Sequence, residues 1–405
     1  MFDDVAPPRD VSQLRLPLIG RVDRDVSGAW QVFGADGQPS SAVRRFLSDL
    51  SASDCAVSTI RSYAYDLLRW FRFLSAVDVE WRQATRREVR DFVRWFRGAP
   101  NPQRDRGTGP GRPAAGTLNP HSGKAYLSNG YAPRTINHAL SVVSAFYAFA
   151  VAAGLGPLQN PVPAAQRHAT STVPSSGAHR RAALRQKEPR RQPRDVPDEL
   201  LEQMIGELAC DRDRALVSVA LGSGLRAGEL LSMTCGGIDA GRGVLRVVPK
   251  GGVVPIWVPA TPDAFVEVSR YLLSRVPVVG SDPLWVTRRA PARPLTYFAL
   301  RQILERINAR LGTNITWHDL RHTFTHRLLS DDAVGISDVQ QLLRHRDLTT
   351  LSSYSTTRVE ALARRLHDYE ARPHPPATPA VEYDPTELRA LFPGLQLSPP
   401  EATEQ

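Results

Sequence analysis

The chain has 405 residues, which is enough for two or three domains that each bury a hydrophobic core. Its 51 Lys and Arg outnumber its 41 Asp and Glu, so the net charge of +10 favours polyanionic partners, and three widely spaced cysteines argue against a disulfide framework or a cysteine zinc module. Without a secretory signal pattern or a run approaching the roughly 20 apolar residues that span a bilayer, we expect a cytoplasmic protein with no membrane partner.

Residues 1–40 form an N-terminal extension, and residues 41–165 are predicted to form a helical domain. Apolar residues recur every three or four positions at residues 58–74, 86–96 and 135–149, which predicts three amphipathic helices, with Pro133 just before the third. Residues 98–132 are rich in Gly, Pro, Asn and Arg, and they predict an exposed insertion. Taken alone, these patterns fit any helical bundle.

Residues 166–195 have little apolar content and read as a basic interdomain linker. A basic run is often only a solvated segment, but on a chain whose charge favours a polyanionic partner it also suits contact with nucleic-acid phosphates. We favour such phosphate contact for its seven cations: Arg180, Arg181, Arg185, Lys187, Arg190, Arg191 and Arg194.

Residues 196–372 carry the side chains that are candidates for catalysis. Arg226 and Glu229 stand three apart at a junction between a glycine and a predicted helix. Lys250 lies between two β-branched runs around a Gly-Gly pair, which predicts a β-hairpin. Taken singly, Arg226 fits a helix-surface arginine paired with an acid, and Lys250 fits a solvated turn charge.

A second group of polar side chains follows further along the same region. His318 and Arg321 lie three apart on a predicted helix and therefore share one face. His345 follows an apolar pair, and Tyr354 lies nine residues later. Residues 373–405 form a Pro-rich tail whose helix candidate, 385–392, either docks on a neighbouring subunit or belongs to a disordered segment.

The two arginines Arg226 and Arg321 suit phosphodiester chemistry, because a guanidinium group binds two phosphate oxygens and stays charged at neutral pH. A tyrosine nucleophile needs nearby cations or a base, since the pKa of a free phenol is about 10. Divalent-metal catalysis on Glu229 and Asp319 is disfavoured because arginines compete for these acids, and His318, His322 and His326 lack a nearby cysteine to complete a zinc site. We expect no metal and no cofactor.

These segments resemble the tyrosine recombinase (phage integrase) family, whose pattern is Arg-x-x-Glu-Leu, a hairpin lysine, His-x-x-Arg-His, Leu-Gly-His and a tyrosine nine residues on. The chain departs from the pattern at Arg344, where the family usually has glycine. The resemblance implies a mainly α fold: an N-terminal helical core-binding (SAM-like) bundle and a mostly helical α+β catalytic domain with a small antiparallel sheet. The family's catalytic residues correspond to Tyr354, Arg226, Arg321, Lys250, His318 and His345.

In the family's mechanism, Tyr354 would attack the phosphorus and form a 3′-phosphotyrosyl link. Arg226 and Arg321 would hold the non-bridging oxygens, with a hydrogen bond from His345, and Lys250 would protonate the leaving 5′ oxygen. His318 would assist proton movement at the tyrosine, and Glu229 would orient Arg226.

The resemblance therefore implies a site-specific DNA recombinase that acts on double-stranded DNA as a homotetramer, with a free monomer as one option. Integration, excision or transposition of a mobile element is the favoured role, and chromosome-dimer resolution stays open. A type IB topoisomerase-like DNA relaxation activity and a non-catalytic DNA-binding regulator remain as alternatives.

Overall fold

The computed structural model describes residues 9–102, 113–163, 182–189, 195–275, 278–331 and 334–344, with eleven α-helices and five β-strands in these ranges. Their buried apolar side chains form two large clusters, one drawn from residues 11–162 and the other from residues 196–320. The predicted mainly helical architecture with small antiparallel sheets is confirmed. The predicted domain boundaries stay predictions.

A β-hairpin that the sequence did not indicate lies within the N-terminal extension. Strand β1 (Arg21–Arg24) pairs antiparallel with β2 (Trp30–Phe33). The Asp25 carboxylate accepts the backbone N–H groups of Ser27 and Ala29, which closes the turn. Strand β2 packs against the first two helices, so this part of the extension belongs to the first hydrophobic cluster.

Four helices build the first cluster: α1 (Ser41–Ala52), α2 (Val57–Ala76), α3 (Arg86–Gly98) and α4 (Pro133–Ala152). The three helices predicted from periodicity are confirmed as α2, α3 and α4. Pro133 is the first residue of α4 rather than the residue before it, as suits a proline whose missing N–H has no partner in the first turn.

Helix α4 packs against the other three helices of this bundle. By length and composition alone it is apolar enough to cross a membrane, contrary to the expectation from the sequence that no apolar run approaches that length. Half of the most apolar window of this helix is buried inside the protein. Its Tyr147 accepts a hydrogen bond from Trp70 Nε1 at 3.1 Å and donates one to the Trp81 carbonyl at 2.7 Å.

The second cluster contains seven helices: α5 (Asp198–Gly206), α6 (Asp211–Ser223), α7 (Ala227–Leu231), α8 (Pro262–Leu273), α9 (Tyr297–Leu311), α10 (Trp317–Ser330) and α11 (Ile336–Leu343). Helix α6 packs against both α8 and α10. Gly224 follows the last residue of α6 in the left-handed conformation, which ends the helix and turns the chain towards α7.

A three-stranded antiparallel sheet lies beside these helices, in the order β3 (Ile238–Asp239), β4 (Val244–Val247) and β5 (Ile256–Pro259). The β4–β5 pair confirms the hairpin predicted around Lys250, with Val247 opposite Ile256. The connection spans residues 248–255 and is longer than a two-residue Gly-Gly turn.

The insertion at residues 98–132 differs from the exposed loop predicted for it. Among its described residues, Asn119 is almost fully buried and its Nδ2 donates to the Gly312 carbonyl at 2.7 Å. Lys124 Nζ lies 2.5 Å from Asp319 Oδ2, at the first turn of α10. Part of the insertion is therefore bound to the second cluster.

Candidate active site

The first element of the site is the junction between α6 and α7, where Arg226 is the N-cap residue of α7. The backbone N–H of Arg226 donates to Glu229 Oε2 at 2.9 Å, and its guanidinium NH1 donates to Glu229 Oε1 at 2.8 Å. The Glu229 side chain is fully buried, whereas that of Arg226 is about one-third exposed, at 32%. The buried Glu229 carboxylate therefore holds Arg226 in place, while part of the Arg226 side chain stays accessible to solvent.

Glu229 is held by a second arginine, because Arg344 NH2 donates to Oε2 at 2.9 Å. Burial raises the pKa of Glu229, but the backbone N–H of Arg226 and the positive charges of Arg344 and Arg226 together outweigh burial. The pKa of Glu229 is therefore below its ordinary value, and the carboxylate is ionised at neutral pH.

Arg321 is the third cation of the site and lies on α10 with 4% of its surface exposed. Its NH1 donates to the Gly224 carbonyl, and its NH2 donates to the Leu343 carbonyl at 2.7 Å. Both of these acceptors are neutral, so they fix the guanidinium without cancelling its charge. Because Gly224 ends α6 and Leu343 ends α11, one arginine links three helices.

His318 begins the same face of α10, one turn before Arg321. Burial lowers the pKa of His318; Asp319 opposes this shift, while the charges of Arg321, Lys124 and Arg226 reinforce it. A neutral imidazole results at neutral pH, and a neutral imidazole can accept a proton. His322 lies beside it, with 4.1 Å between the ring centroids, and its pKa is lowered to about 4, mainly by burial and then by His318.

Comparison with known proteins assigns this arrangement to a family. The family model described as the phage integrase family matches residues 194–360, and that of the phage integrase N-terminal SAM-like domain matches residues 43–104. Tyrosine recombinase XerA of Thermococcus kodakarensis is 30% identical over 258 residues, which cover 61% of this chain and 80% of the relative. The chain belongs to the phage integrase family of tyrosine recombinases.

A further relative covers more of the chain. Tyrosine recombinase XerD of Xanthomonas campestris pv. campestris is 28% identical over 366 residues, 84% of this chain and 93% of the relative. The predicted family is thus confirmed, and the chain is a tyrosine-type site-specific recombinase.

Solved structures support the fold. The Tn1549 transposon integrase has a TM-score of 0.56 at 12% identity, covering 81% of this chain and 99% of its own. The XerH site-specific recombinase has a TM-score of 0.53 at 17% identity, covering 80% of this chain and 85% of its own. The recombinase fold predicted from the motifs is therefore confirmed.

In this recombinase the β4–β5 connection carries Lys250 on an exposed segment. The start of the connection is fixed to α7, because the Val248 N–H donates to Ser232 Oγ at 2.9 Å and Ser232 Oγ donates to the Glu229 carbonyl at 2.6 Å. The described contacts do not join Lys250 itself to the arginines. Two further predicted site residues, His345 and Tyr354, lie outside the described residues.

Two of the seven linker cations are described. Arg185 binds α4, since its NH1 donates to the Asn137 carbonyl at 3.1 Å and its NH2 to Ser141 Oγ at 2.9 Å. Lys187 is exposed. Arg185 therefore serves to attach the linker to the bundle, and phosphate contact by Lys187 stays a prediction. The remaining cations lie outside the described residues: Arg180, Arg181, Arg190, Arg191 and Arg194.

Two residues of the site were missed by sequence reasoning. Lys124 had no local signal, because its partner Asp319 is 195 positions away in the chain. Arg344 was visible as a departure from the family pattern, but its contact with Glu229 was not. The three histidines of α10 do not converge on one point, since His326 Nδ1 lies 3.4 Å from Asp195, and no metal-ligating group of three His, Cys, Asp or Glu occurs within the ranges described.

Proposed function

We propose that this recombinase cleaves and rejoins double-stranded DNA with Tyr354 as its nucleophile. The observation that carries the proposal is the closed set of contacts in which Arg226, Glu229, Arg344 and Arg321 are fixed to the ends of α6 and α11. Fixed guanidinium groups suit the five-coordinate phosphoryl transition state, because they need no reorganisation as negative charge develops.

Each described side chain has a role in this proposal. Arg226 and Arg321 bind the non-bridging oxygens of the scissile phosphate, and Glu229 holds Arg226 in place. His318, neutral at pH 7, accepts the phenol proton as Tyr354 attacks and forms a 3′-phosphotyrosyl ester. The ester conserves the energy of the broken bond, so rejoining needs no cofactor.

The roles of two other residues come from the family pattern. Lys250 lies on an exposed segment whose start is fixed to α7, a position from which a flexible side chain can reach a bound duplex and protonate the leaving 5′ oxygen. His345 donates a hydrogen bond to a phosphate oxygen.

Known structures support DNA as the partner. XerH was solved bound to its palindromic difH substrate, and the Tn1549 integrase in complex with a circular intermediate DNA. We propose double-stranded recombination sites as the substrate, a homotetramer as the assembly on DNA, and integration, excision or transposition of a mobile element as the role.

We also propose that the domains divide as predicted, with a basic linker at 166–195 between the bundle and the catalytic region at 196–372. The separation of the apolar residues into two clusters supports this division. All three cysteines are free, which supports a reducing, cytoplasmic setting.

The experiment first maps the target. Wild-type protein is isolated from cells under denaturing conditions, and the DNA ends that remain covalently attached are sequenced. A nicked suicide duplex of that site is then incubated with wild type, Tyr354→Phe and, as a matched control, Tyr297→Phe, whose phenol is exposed at the start of α9.

We expect a covalent adduct with wild type and Tyr297→Phe, and normal DNA binding without an adduct for Tyr354→Phe. An adduct that survives in Tyr354→Phe contradicts the assignment of the nucleophile. Relaxation of a supercoiled plasmid that lacks the mapped site would favour the topoisomerase alternative. Recovery of bound DNA from wild type without any covalently attached ends would favour the non-catalytic regulator.

A further inference from the structure

Arg344 occupies a backbone conformation that disfavours it. It follows the last residue of α11 with φ 54° and ψ 42°, in the left-handed region, where glycine is the usual residue because a Cβ is strained there. The family pattern has glycine at this position. A strained arginine in place of glycine indicates that its side chain contributes something that glycine cannot.

The side chain of Arg344 is directed into the protein, with 13% of its surface exposed. Its NH2 group binds Glu229 Oε2 at 2.9 Å, and its NH1 group donates to the Leu342 carbonyl at 2.9 Å. Its buried Nε has no hydrogen-bond partner among the described residues. The guanidinium is therefore committed to Glu229, the same carboxylate that orients Arg226.

The consequence is electrostatic. The Arg226–Glu229 pair on its own is neutral and attracts a phosphate weakly. With Arg344 on the second oxygen, the three groups together carry one net positive charge. Each guanidinium then shares the carboxylate, and Arg226 keeps part of its charge for an external anion.

We infer that Arg344 is a positioning residue of strand cleavage, which counterbalances Glu229 so that Arg226 presents net positive charge to the scissile phosphate. This inference rests on the proposed function. This positive charge stabilises the phosphodiester as it becomes five-coordinate, because the negative charge of the phosphate rises while the protein charges stay fixed. The effect therefore falls on the rate of cleavage more than on DNA affinity.

Three substitutions separate charge from backbone strain. Arg344→Gly removes the charge and also relieves the left-handed strain, Arg344→Gln removes the charge and keeps the strain, and Arg344→Lys keeps both. Arg310→Gln is the matched control, because Arg310 also pairs with a glutamate, Glu207 at 3.0 Å, on the surface.

The assay measures single-turnover adduct formation on the mapped suicide duplex, together with the dissociation constant for DNA and the unfolding temperature. We expect Arg344→Gly and Arg344→Gln to cleave roughly 10- to 100-fold more slowly, as for other groups that act through a ligand of the reacting atoms. DNA affinity should change less than threefold, Arg344→Lys should recover most of the rate, and Arg310→Gln should match wild type. Arg344→Gly should unfold at a temperature no lower than Arg344→Gln.

A second substrate distinguishes an effect of the Arg344 charge on the phosphate from a structural effect of the substitution. A methylphosphonate at the scissile position lacks one negative oxygen, so the ratio of wild-type to Arg344→Gln rates should shrink towards one. An unchanged ratio, or equal rates for wild type and Arg344→Gln on the normal phosphate, overturns the inference. If wild type itself forms no adduct, the proposed function fails instead.

Discussion

The glycine that ends α6 gives the sharpest test of how the site is built. Gly224 has φ +59°, and its carbonyl accepts a hydrogen bond from Arg321. A Cβ added there would lie 2.3 Å from Cδ1 and 2.8 Å from Cε1 of Phe324, which packs with Val339 and Leu343 of α11. The substitution Gly224→Ala therefore strains the backbone and displaces a buried ring that supports the second anchor of Arg321.

The cost follows from two separate terms. An alanine in the left-handed region costs roughly 1–2 kcal/mol, and forcing an extra carbon into a packed site costs roughly 1–3 kcal/mol. We expect Gly224→Ala to lower the free energy of unfolding by about 2–5 kcal/mol. For a domain of roughly 150–250 residues, this loss lowers the unfolding temperature by roughly 5–15 °C. Cleavage should fall further than DNA binding, because Arg321 loses its fixed position.

Two other glycines separate these terms. Gly243 also has a positive φ, +67°, but a Cβ there meets nothing within 4 Å, so Gly243→Ala carries only the backbone strain. Gly206 ends α5 in open space without a positive φ, so Gly206→Ala should be neutral or stabilising by up to about 1 kcal/mol. Urea unfolding of the three variants should place Gly224→Ala well below Gly243→Ala; equal stabilities for these two would refute the contact with Phe324.

Three further predictions concern charge. Lys124→Met keeps the aliphatic stem but removes the pair with Asp319, so it should lower the free energy of unfolding by about 1 kcal/mol at low salt and by much less in 1 M salt; a loss that does not depend on salt would rule out an ionic contribution. His318 and His322 have folded-state pKa values below the ordinary 6.5, so the unfolded state binds more protons in acid and the free energy of unfolding should fall from about pH 6.5 towards pH 4. Urea titrations of His318→Asn and His322→Asn should show a shallower fall, and an unchanged pH dependence would exclude both histidines as its source. Lys187→Gln should make the slope of log K for DNA binding against log salt concentration shallower by about 0.9. Arg185→Gln should leave that slope unchanged and weaken the attachment of the linker to α4. A slope unaffected by Lys187→Gln would remove that lysine from the interface.

Local patterns predicted the elements of this fold well. Helices α2, α3 and α4 follow from apolar periodicity, and the β4–β5 pair follows from β-branched runs that flank glycine. The β1–β2 hairpin was missed because its strands are short and their turn depends on the Asp25 side chain. The docking of Lys124 on Asp319 was also missed, since no local pattern reports contacts between distant segments.

The sequence predicted which residue types form the site, but it did not predict the contacts that hold them in place. Arg226, Arg321 and His318 were recognised because two arginines and a histidine in that order suit a phosphate. The groups that hold Arg321 are the Gly224 and Leu343 carbonyls, and backbone carbonyls have no signature in a sequence. Glu229 was expected to orient Arg226 alone, whereas the structure divides it between Arg226 and Arg344.

In the proposed mechanism, the charges around Glu229 match the transition state better than the bound substrate. Arg226 and Arg344 share the single carboxylate of Glu229, so these three groups together carry one net positive charge. A phosphodiester carries one negative charge, and attack by a phenolate raises this to about two as phosphorus becomes five-coordinate. Only interactions that strengthen between these two states accelerate the reaction. In the proposed reaction, Arg344 offsets the acid that orients Arg226, so the net positive charge of this group is available when the second negative charge appears.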